Sequence, residues 1–276
     1  MKILQEIQEG SVTPEPYNNS QNIYFSVLAS GSSGNSIFVS DNKTKILIDA
    51  GLSGIEIEKR LALIGEDPKN IQAIIITHEH IDHIKGAGVL SRRFKIPVYT
   101  NKKTLLASES CLKKPCETNF FESGTPFFIG EMRINPFSIS HDAADPCGFT
   151  IKTQNSKLGI ATDLGIATSL VKTRLKNCTG LILEANHDPF LLANGSYPWS
   201  LKQRIKGRTG HLSNEDARDL LGEVAGKNLK NIVLGHLSKE NNCPIKALSI
   251  VSQAIKDLNS ELTNASEEKP TSIFNI

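Results

Sequence analysis

The sequence predicts a layered α/β fold. Short β-type runs dominate and alternate with helical patterns, and the run from Ile71 to Thr77 is apolar enough for a strand buried on both faces. No fixed-period repeat or low-complexity tract interrupts the body of the chain. Its 276 residues leave room for one large domain. Hydrophobic residues make up 39%, charged residues 22%, and the formal net charge is +2. This balance excludes a disordered or collagen-like chain and a polybasic arm, but is compatible with a local patch for nucleic acid.

The elements follow in order. Ile23 to Leu28 and Ser36 to Val39 flank a Gly/Ser loop, as in a hairpin, and Lys45 to Asp49 is a further strand. Ile57, Leu61 and Ile64 have helical spacing. After the buried run a helix is expected at about Ile81 to Phe94, then a strand at Pro97 to Thr100. Later strands are expected at Glu131–Ile139, Cys147–Thr153, Lys157–Thr162, Gly180–Glu184 and Asn231–Gly235. A helix begins near Ser213, where Ser213 as N-cap and Asp216 at N3 make a capping-box pattern.

The ends read differently. Residues 1–22 are expected as an N-terminal extension, 23–259 as the domain, and 260–276 as a polar tail that frays, although Ile273 and Phe274 have the means to dock. No apolar run is long enough for a membrane span. The first residues carry acid where a signal peptide has its apolar core, so export is not expected. Five cysteines without CxxC spacing suit free thiols in a reducing cytoplasm.

Thr77-His78-Glu79-His80-Ile81-Asp82-His83 concentrates three histidines and two carboxylates just past the buried strand. Imidazole and carboxylate are ligands for Zn²⁺ and similar ions, and a site needs three or four of them converging. Extended backbone points His78 and His80 to one side, while a helix starting near Ile81 swings Asp82 and His83 toward a second position. His141, Asp163 and His236 each end an apolar run, where α/β sheets collect functional side chains. His211 precedes a helix N-terminus, a setting that favours a phosphate. Lys202, Arg204, Lys206 and Arg208 precede it and read equally as a solvated face or a backbone contact for nucleic acid. The loop with Ser32, Ser33 and Asn35 is either a bare turn or a seat for a terminal phosphate.

On these motifs the chain resembles the HxHxDH branch of the metallo-β-lactamase superfamily, from about Tyr24 to Asn242. The strings Ala29–Ser36, Leu183–Asp188 and Leu237–Asn242 are similar to the YycJ/VicX-like (WalJ) proteins, described as 5′→3′ exonucleases. The resemblance implies a four-layer αββα sandwich with two divalent ions, Zn or Mn, at one edge. His78, His80 and His141 would hold the first ion, Asp82, His83 and His236 the second, with Asp163 between them. It also implies that Asp49 fixes the ligand loop by hydrogen bonds, and that His211 assists departure of the leaving group. His187 either orients substrate or His211, together with Glu184, or makes a structural hydrogen bond.

The function expected is hydrolysis of a phosphodiester by hydroxide held between the ions, with Asp82, Asp163 and His211 as catalytic residues. Ser32, Ser33, Asn35, Arg208 and His211 are candidates for contact with substrate, expected to be DNA entered from its 5′ end. The alternatives are a small-molecule metallohydrolase (a cyclic phosphodiesterase or thioesterase) and a metal-binding regulatory scaffold. The span from Asp163 to His236, 73 residues, is too short for the large extra domain of the β-CASP ribonucleases.

Overall fold

A computed structural model describes residues 22–276. The expected extension therefore lies almost wholly outside the described residues. Two mixed seven-stranded sheets stack face to face. The first holds β1 (Tyr24–Ala29), β2 (Ser36–Ser40), β3 (Lys45–Ile48), β4 (Ala73–Ile75), β5 (Val98–Thr100) and β6 (Thr118–Phe120). The second holds β7 (Phe127–Ile129), β8 (Met132–Ser138), β9 (Cys147–Lys152), β10 (Lys157–Ala161), β11 (Gly180–Glu184), β12 (Asn231–Gly235) and β13 (Glu261–Asn264). The last strand, β14 (Phe274–Asn275), returns to pair with β1.

The period of two along each strand builds the layers. Ile46 and Ile48 of β3, Ile75 of β4, Ile182 of β11 and Val233 of β12 point between the sheets. Their neighbours Leu47 and Ile74 turn outward onto α1 (Gly54–Leu63), α2 (Ile81–Ile84), α3 (Ala87–Phe94) and α4 (Lys102–Leu112), through Ile57, Ile84, Leu90 and Leu112. On the opposite face Leu181, Leu183 and Leu234 meet α5 (Ser169–Leu175), α8 (Asn214–Val224) and α9 (Pro244–Val251). Two short helices, α6 (Pro189–Asn194) and α7 (Trp199–Lys206), lie at the rim, and α7 buries none of its residues. The result is the αββα sandwich.

Parallel pairing of β3, β4 and β5 in one sheet, and of β10, β11 and β12 in the other, brings their carboxyl ends to common edges. The capping box at Ser213 and Asp216 forms as the sequence indicates. Two expectations do not hold. The helix expected over Ile81 to Phe94 is broken at Lys85 and Gly86, because the Gly86 amide donates to Ala50 O at 2.7 Å and draws the chain into the strand ends. Residues 260–276 do not fray. They add a strand to each sheet, Phe274 stacks on Phe25 with centroids 5.1 Å apart, and Ile276 is buried.

Truncating Phe274 to Ala should therefore cost about 3 kcal/mol in denaturant unfolding, as for other buried aromatics. A frayed tail would leave the unfolding midpoint unchanged.

Candidate metal centre

The centre is assembled from strand ends. Asp49, Asp163 and His236, one residue or two beyond β3, β10 and β12, share a left-handed backbone with φ of 60°, 57° and 57°. That conformation is uncommon outside glycine and clusters at functional sites. Beyond β4, His78 and His80 lie on the short link to α2, which starts right after His80 and places Asp82 and His83 in its single turn. Gly51 lets the turn after Asp49 lie against this loop, since a Cβ there would fall 1.6 Å from Asp82 O.

Four of the five converging imidazoles are held from behind. His83 Nδ1 donates to Asp49 Oδ2 at 2.7 Å, and the same carboxylate accepts from Thr77 N and Thr77 Oγ1 at 2.8 and 2.7 Å. His78 Nδ1 donates to Thr77 Oγ1 at 2.9 Å, His236 Nδ1 to Glu184 Oε1 at 2.9 Å, and His141 Nδ1 to Gly210 O at 3.3 Å. Each bond turns the ring's Nε2 inward, as in metal sites where an outer acceptor fixes tautomer and ring angle.

Inside, two donor sets form. His78 Nε2 and His141 Nε2 lie 3.1 and 3.3 Å from His80 Nδ1. Asp82 Oδ2 lies 3.6 Å from His83 Nε2 and 3.8 Å from His236 Nε2. Asp163 touches both sets, at 3.8 Å from His141 Nε2, 3.6 Å from His236 Nε2 and 3.3 Å from His83 Nε2. His78, His80 and His141 form one group able to hold an ion, and Asp82, His83 and His236 another.

Polar satisfaction and charge both fit bound cations. Asp163 Oδ2 and His236 Nε2 are buried with no hydrogen-bond partner, a costly arrangement unless something else satisfies them. Burial, reinforced by the neighbouring imidazoles, drives His78 well below the usual histidine range, which keeps it neutral and able to ligate. Burial opposes charge on His83 too, but Asp163 and Asp49 outweigh it and lift this group to about 9. Burial works against the Asp82 carboxylate, yet the neighbouring His236 and His83 imidazoles bring it down to about 2. The nitrogen and oxygen donors suit divalent ions of intermediate hardness.

Glu184 links this centre to His211. Its Oε1 accepts from both His236 Nδ1 and His211 Nδ1, at 2.9 and 2.8 Å, and its Oε2 accepts from the amides of Leu164 and Leu212 at 2.8 and 3.1 Å. Burial would favour the neutral acid, but the two histidines hold Glu184 well below the usual carboxylate range. His211, with its Nδ1 tied back, lines a cavity of about 290 Å³ together with His236, Ser32, Asp142, Tyr197 and Lys239.

The structure thus brings together all seven candidate ligands, with Asp49 and Glu184 behind them. Other candidates are placed differently. Asn35 is buried, its amide directed to Gly31 O at 3.0 Å and Asp82 Oδ2 at 3.2 Å, so it braces the ligand loop and presents nothing to a substrate. His187 makes no side-chain hydrogen bond to His211 or Glu184. Its Nδ1 is buried without a partner, and only its carbonyl works, accepting from Asn214 N at 2.9 Å. Arg208 is exposed and does not line the cavity. Of its neighbours, Lys202 Nζ donates to Ala193 O and Gly195 O, and Arg204 pairs with Asp142 at 2.6 Å.

Residues the sequence reading passed over are Thr77, Ser30, Lys239 and Glu267. Thr77 sits in the motif itself, between strand and ligands. Ser30 Oγ accepts from His236 N at 2.8 Å. The strings 183–188 and 237–242 also acquire a physical role. Asn186 Nδ2 donates to His236 O at 2.8 Å, Asn242 Nδ2 donates to Ala185 O and Asn186 O at 2.9 and 3.0 Å, and Asp188 N donates to Asn241 O at 2.8 Å. These bonds lock the loops after β11 and β12 together and so position His236.

A sandwich with such a donor edge is the architecture of metallo-hydrolases, and the comparisons agree. The model of the metallo-beta-lactamase superfamily matches residues 29–236. Exodeoxyribonuclease WalJ of Streptococcus pneumoniae serotype 2 (strain D39 / NCTC 7466) is 44% identical over 222 residues, which cover 79% of this chain and 82% of that one. Exodeoxyribonuclease YycJ of Bacillus anthracis is 40% identical over 237 residues, 85% of this chain and 90% of that one. Among solved structures, the metallo-beta-lactamase fold protein YhfI from Bacillus subtilis superposes with a TM-score of 0.71 at 15% identity, over 93% of this chain and 100% of that one. The chain belongs to the metallo-β-lactamase superfamily and, within it, to the WalJ/YycJ family. Among the described residues no helix is long and apolar enough to cross a membrane.

Asp49→Asn should weaken metal binding by about 10–100-fold in a chelator competition, because the acceptor that orients His83 is lost. Burial holds His187 down at about 4, against 6.5 for the free side chain. The unfolded chain therefore binds one more proton between those pH values, and stability falls as pH is lowered through that window. His187→Gln should reduce this acid loss, by up to ~3 kcal/mol, in pH-dependent unfolding of chelator-treated protein.

Proposed function

We propose that the chain is a metal-dependent exodeoxyribonuclease that hydrolyses DNA from the 5′ end. The observation that carries this reading is its 40–44% identity, over most of the chain, to two proteins named exodeoxyribonucleases. The convergence of all seven donors supports the chemistry.

In this reading His78, His80 and His141 would hold one ion and Asp82, His83 and His236 a second, with Asp163 available to both. Bound there, two divalent ions, Zn²⁺ or Mn²⁺, supply Lewis-acid charge for the phosphate oxygens and lower the pKa of water. The chain's own residues do the rest. Asp49, Thr77 and Glu184 keep the imidazoles aimed inward, so no reorganisation is needed as charge develops. Glu184 anchors His211 Nδ1 and leaves its Nε2 for the cavity, where it donates a proton to the departing 3′ oxygen. Glu184 stays ionised and steadies the imidazolium. Each cut then releases a nucleotide with a free 3′ hydroxyl and leaves a new 5′ phosphate on the strand.

Lys206 and Arg208, exposed beside the cavity and without ion pairs among the described residues, support a contact with the DNA backbone. The five free thiols support a cytoplasmic place of action. A small phosphodiester is the second reading, favoured by the modest cavity. A non-catalytic scaffold has no need of a complete donor set with His211 poised beside it.

The test uses 5′- and 3′-labelled single- and double-stranded DNA, RNA and small phosphodiesters, with Mn²⁺, Mg²⁺ or Zn²⁺. Early release of the 5′ label from DNA is expected, and cleavage of small esters alone would overturn the reading. His80→Ala and Asp163→Ala should each lower the rate at least ~10³-fold while the protein remains folded by circular dichroism.

A further inference from the structure

The Gly/Ser turn after β1 has the chemistry of an anion seat, and the chain itself fills it. Glu267, from the irregular segment between β13 and β14, lays its carboxylate across the turn. Its Oε2 accepts from Ser33 Oγ at 2.7 Å and pairs with Lys239 Nζ. Its Oε1 accepts from Ser33 N at 3.4 Å and Ser32 Oγ at 3.5 Å. The glycine at 31 makes room for it, with φ of 147° and an ideal Cβ that would lie 2.2 Å from Glu267 Oε1. Two hydroxyls, a backbone amide and an ammonium group are the donors that a phosphate monoester takes.

Two further observations place this seat in the path of a substrate. Ser32 and Lys239 line the same cavity as His211 and His236, so an anion on the turn and a phosphodiester at the metal centre would share one chamber. In addition, the segment carrying Glu267 is fixed through its backbone. Arg60 Nη2 donates to Glu267 O at 2.7 Å, and Ser30 N donates to Ser266 O at 3.2 Å. The side chain alone is held by the seat, and its rotation frees every donor without moving the chain.

We propose that the Gly31–Ser33 turn and Lys239 form the seat for the terminal 5′ phosphate of the strand, and that Glu267 is a built-in stand-in which that phosphate displaces. The inference rests on the nuclease reading and deepens it. An end phosphate on the turn places the first phosphodiester at the metals, so the seat selects ends over internal sites. It also selects phosphorylated ends, because a 5′ hydroxyl has no charge with which to replace Glu267. Each cut regenerates the group that the seat takes.

The experiment compares kcat/KM for 5′-phosphorylated and 5′-hydroxyl single-stranded DNA in the wild type, Glu267→Ala, Glu267→Gln and Lys239→Gln. Loss of the competing carboxylate should raise the ratio of phosphorylated to hydroxyl substrate about tenfold in both Glu267 variants. Loss of the ammonium should lower it about tenfold, the size of one charge-assisted hydrogen bond. In parallel, calorimetry of the metal-free proteins with inorganic phosphate should show tighter binding by Glu267→Ala than by the wild type. Ratios unchanged within about twofold, with no gain in phosphate binding, would make Glu267 a structural clamp and overturn the inference. If no variant cleaves DNA, the nuclease reading fails by itself, and the phosphate titration still decides for or against the seat.

Discussion

The buried meeting of five imidazoles with Asp82 and Asp163 is the constraint around which the molecule is organised. Left to themselves, these groups oppose folding. The rings crowd one another, His236 Nε2 and Asp163 Oδ2 have no hydrogen-bond partner, and burial works against each charge. A protein tolerates such a cluster where cations complete it. The surroundings are consistent with that purpose. Asp49, Thr77, Glu184 and the Gly210 carbonyl each hold a ring from behind, and none of the four is among the seven converging donors. The left-handed turns at Asp49, Asp163 and His236 place strained backbone at the ends of well-packed strands, where the core can bear it.

The two sheets make this arrangement possible. Their facing surfaces interlock through a continuous apolar layer that includes Ile48, Ile75, Ile160, Ile182 and Val233, one to three positions before the site residues of their strands. A register shift of one residue would turn both the apolar side chains and the ligands to the wrong face. Packing and site geometry are therefore specified together. This explains why the candidate ligands sit at strand ends, and why no helix among the described residues, apart from the single turn holding Asp82 and His83, contributes one.

Much of this was legible in the sequence, for a physical reason. Strands buried on both faces read as apolar runs, and ligands at their carboxyl ends stand out against them. His78, His80, Asp82, His83, His141, Asp163 and His236 could thus be assembled before the fold was known. What stayed hidden depends on contacts between distant segments with no local pattern. The polar run 261–264 becomes an edge strand because β12 offers it a partner. Asn35 looks like a loop donor, yet turns inward because Asp82 and Gly31 O lie there. Glu267 sits in a stretch whose composition suggests a loose end, and Arg60, 207 residues away, fixes its backbone. The break at Gly86 likewise depends on Ala50, a partner that helical periodicity does not reveal.

In the proposed reading the strand-end donors would form one centre for two ions, with Asp163 serving both. Titrating metal-stripped protein with Mn²⁺ or Zn²⁺ in a calorimeter tests it most directly. Two ions per chain are expected in the wild type, one in His141→Ala or His236→Ala, and weakened binding of both in Asp163→Ala. A single ion in the wild type, or two independent ions whose affinities ignore Asp163, would contradict it.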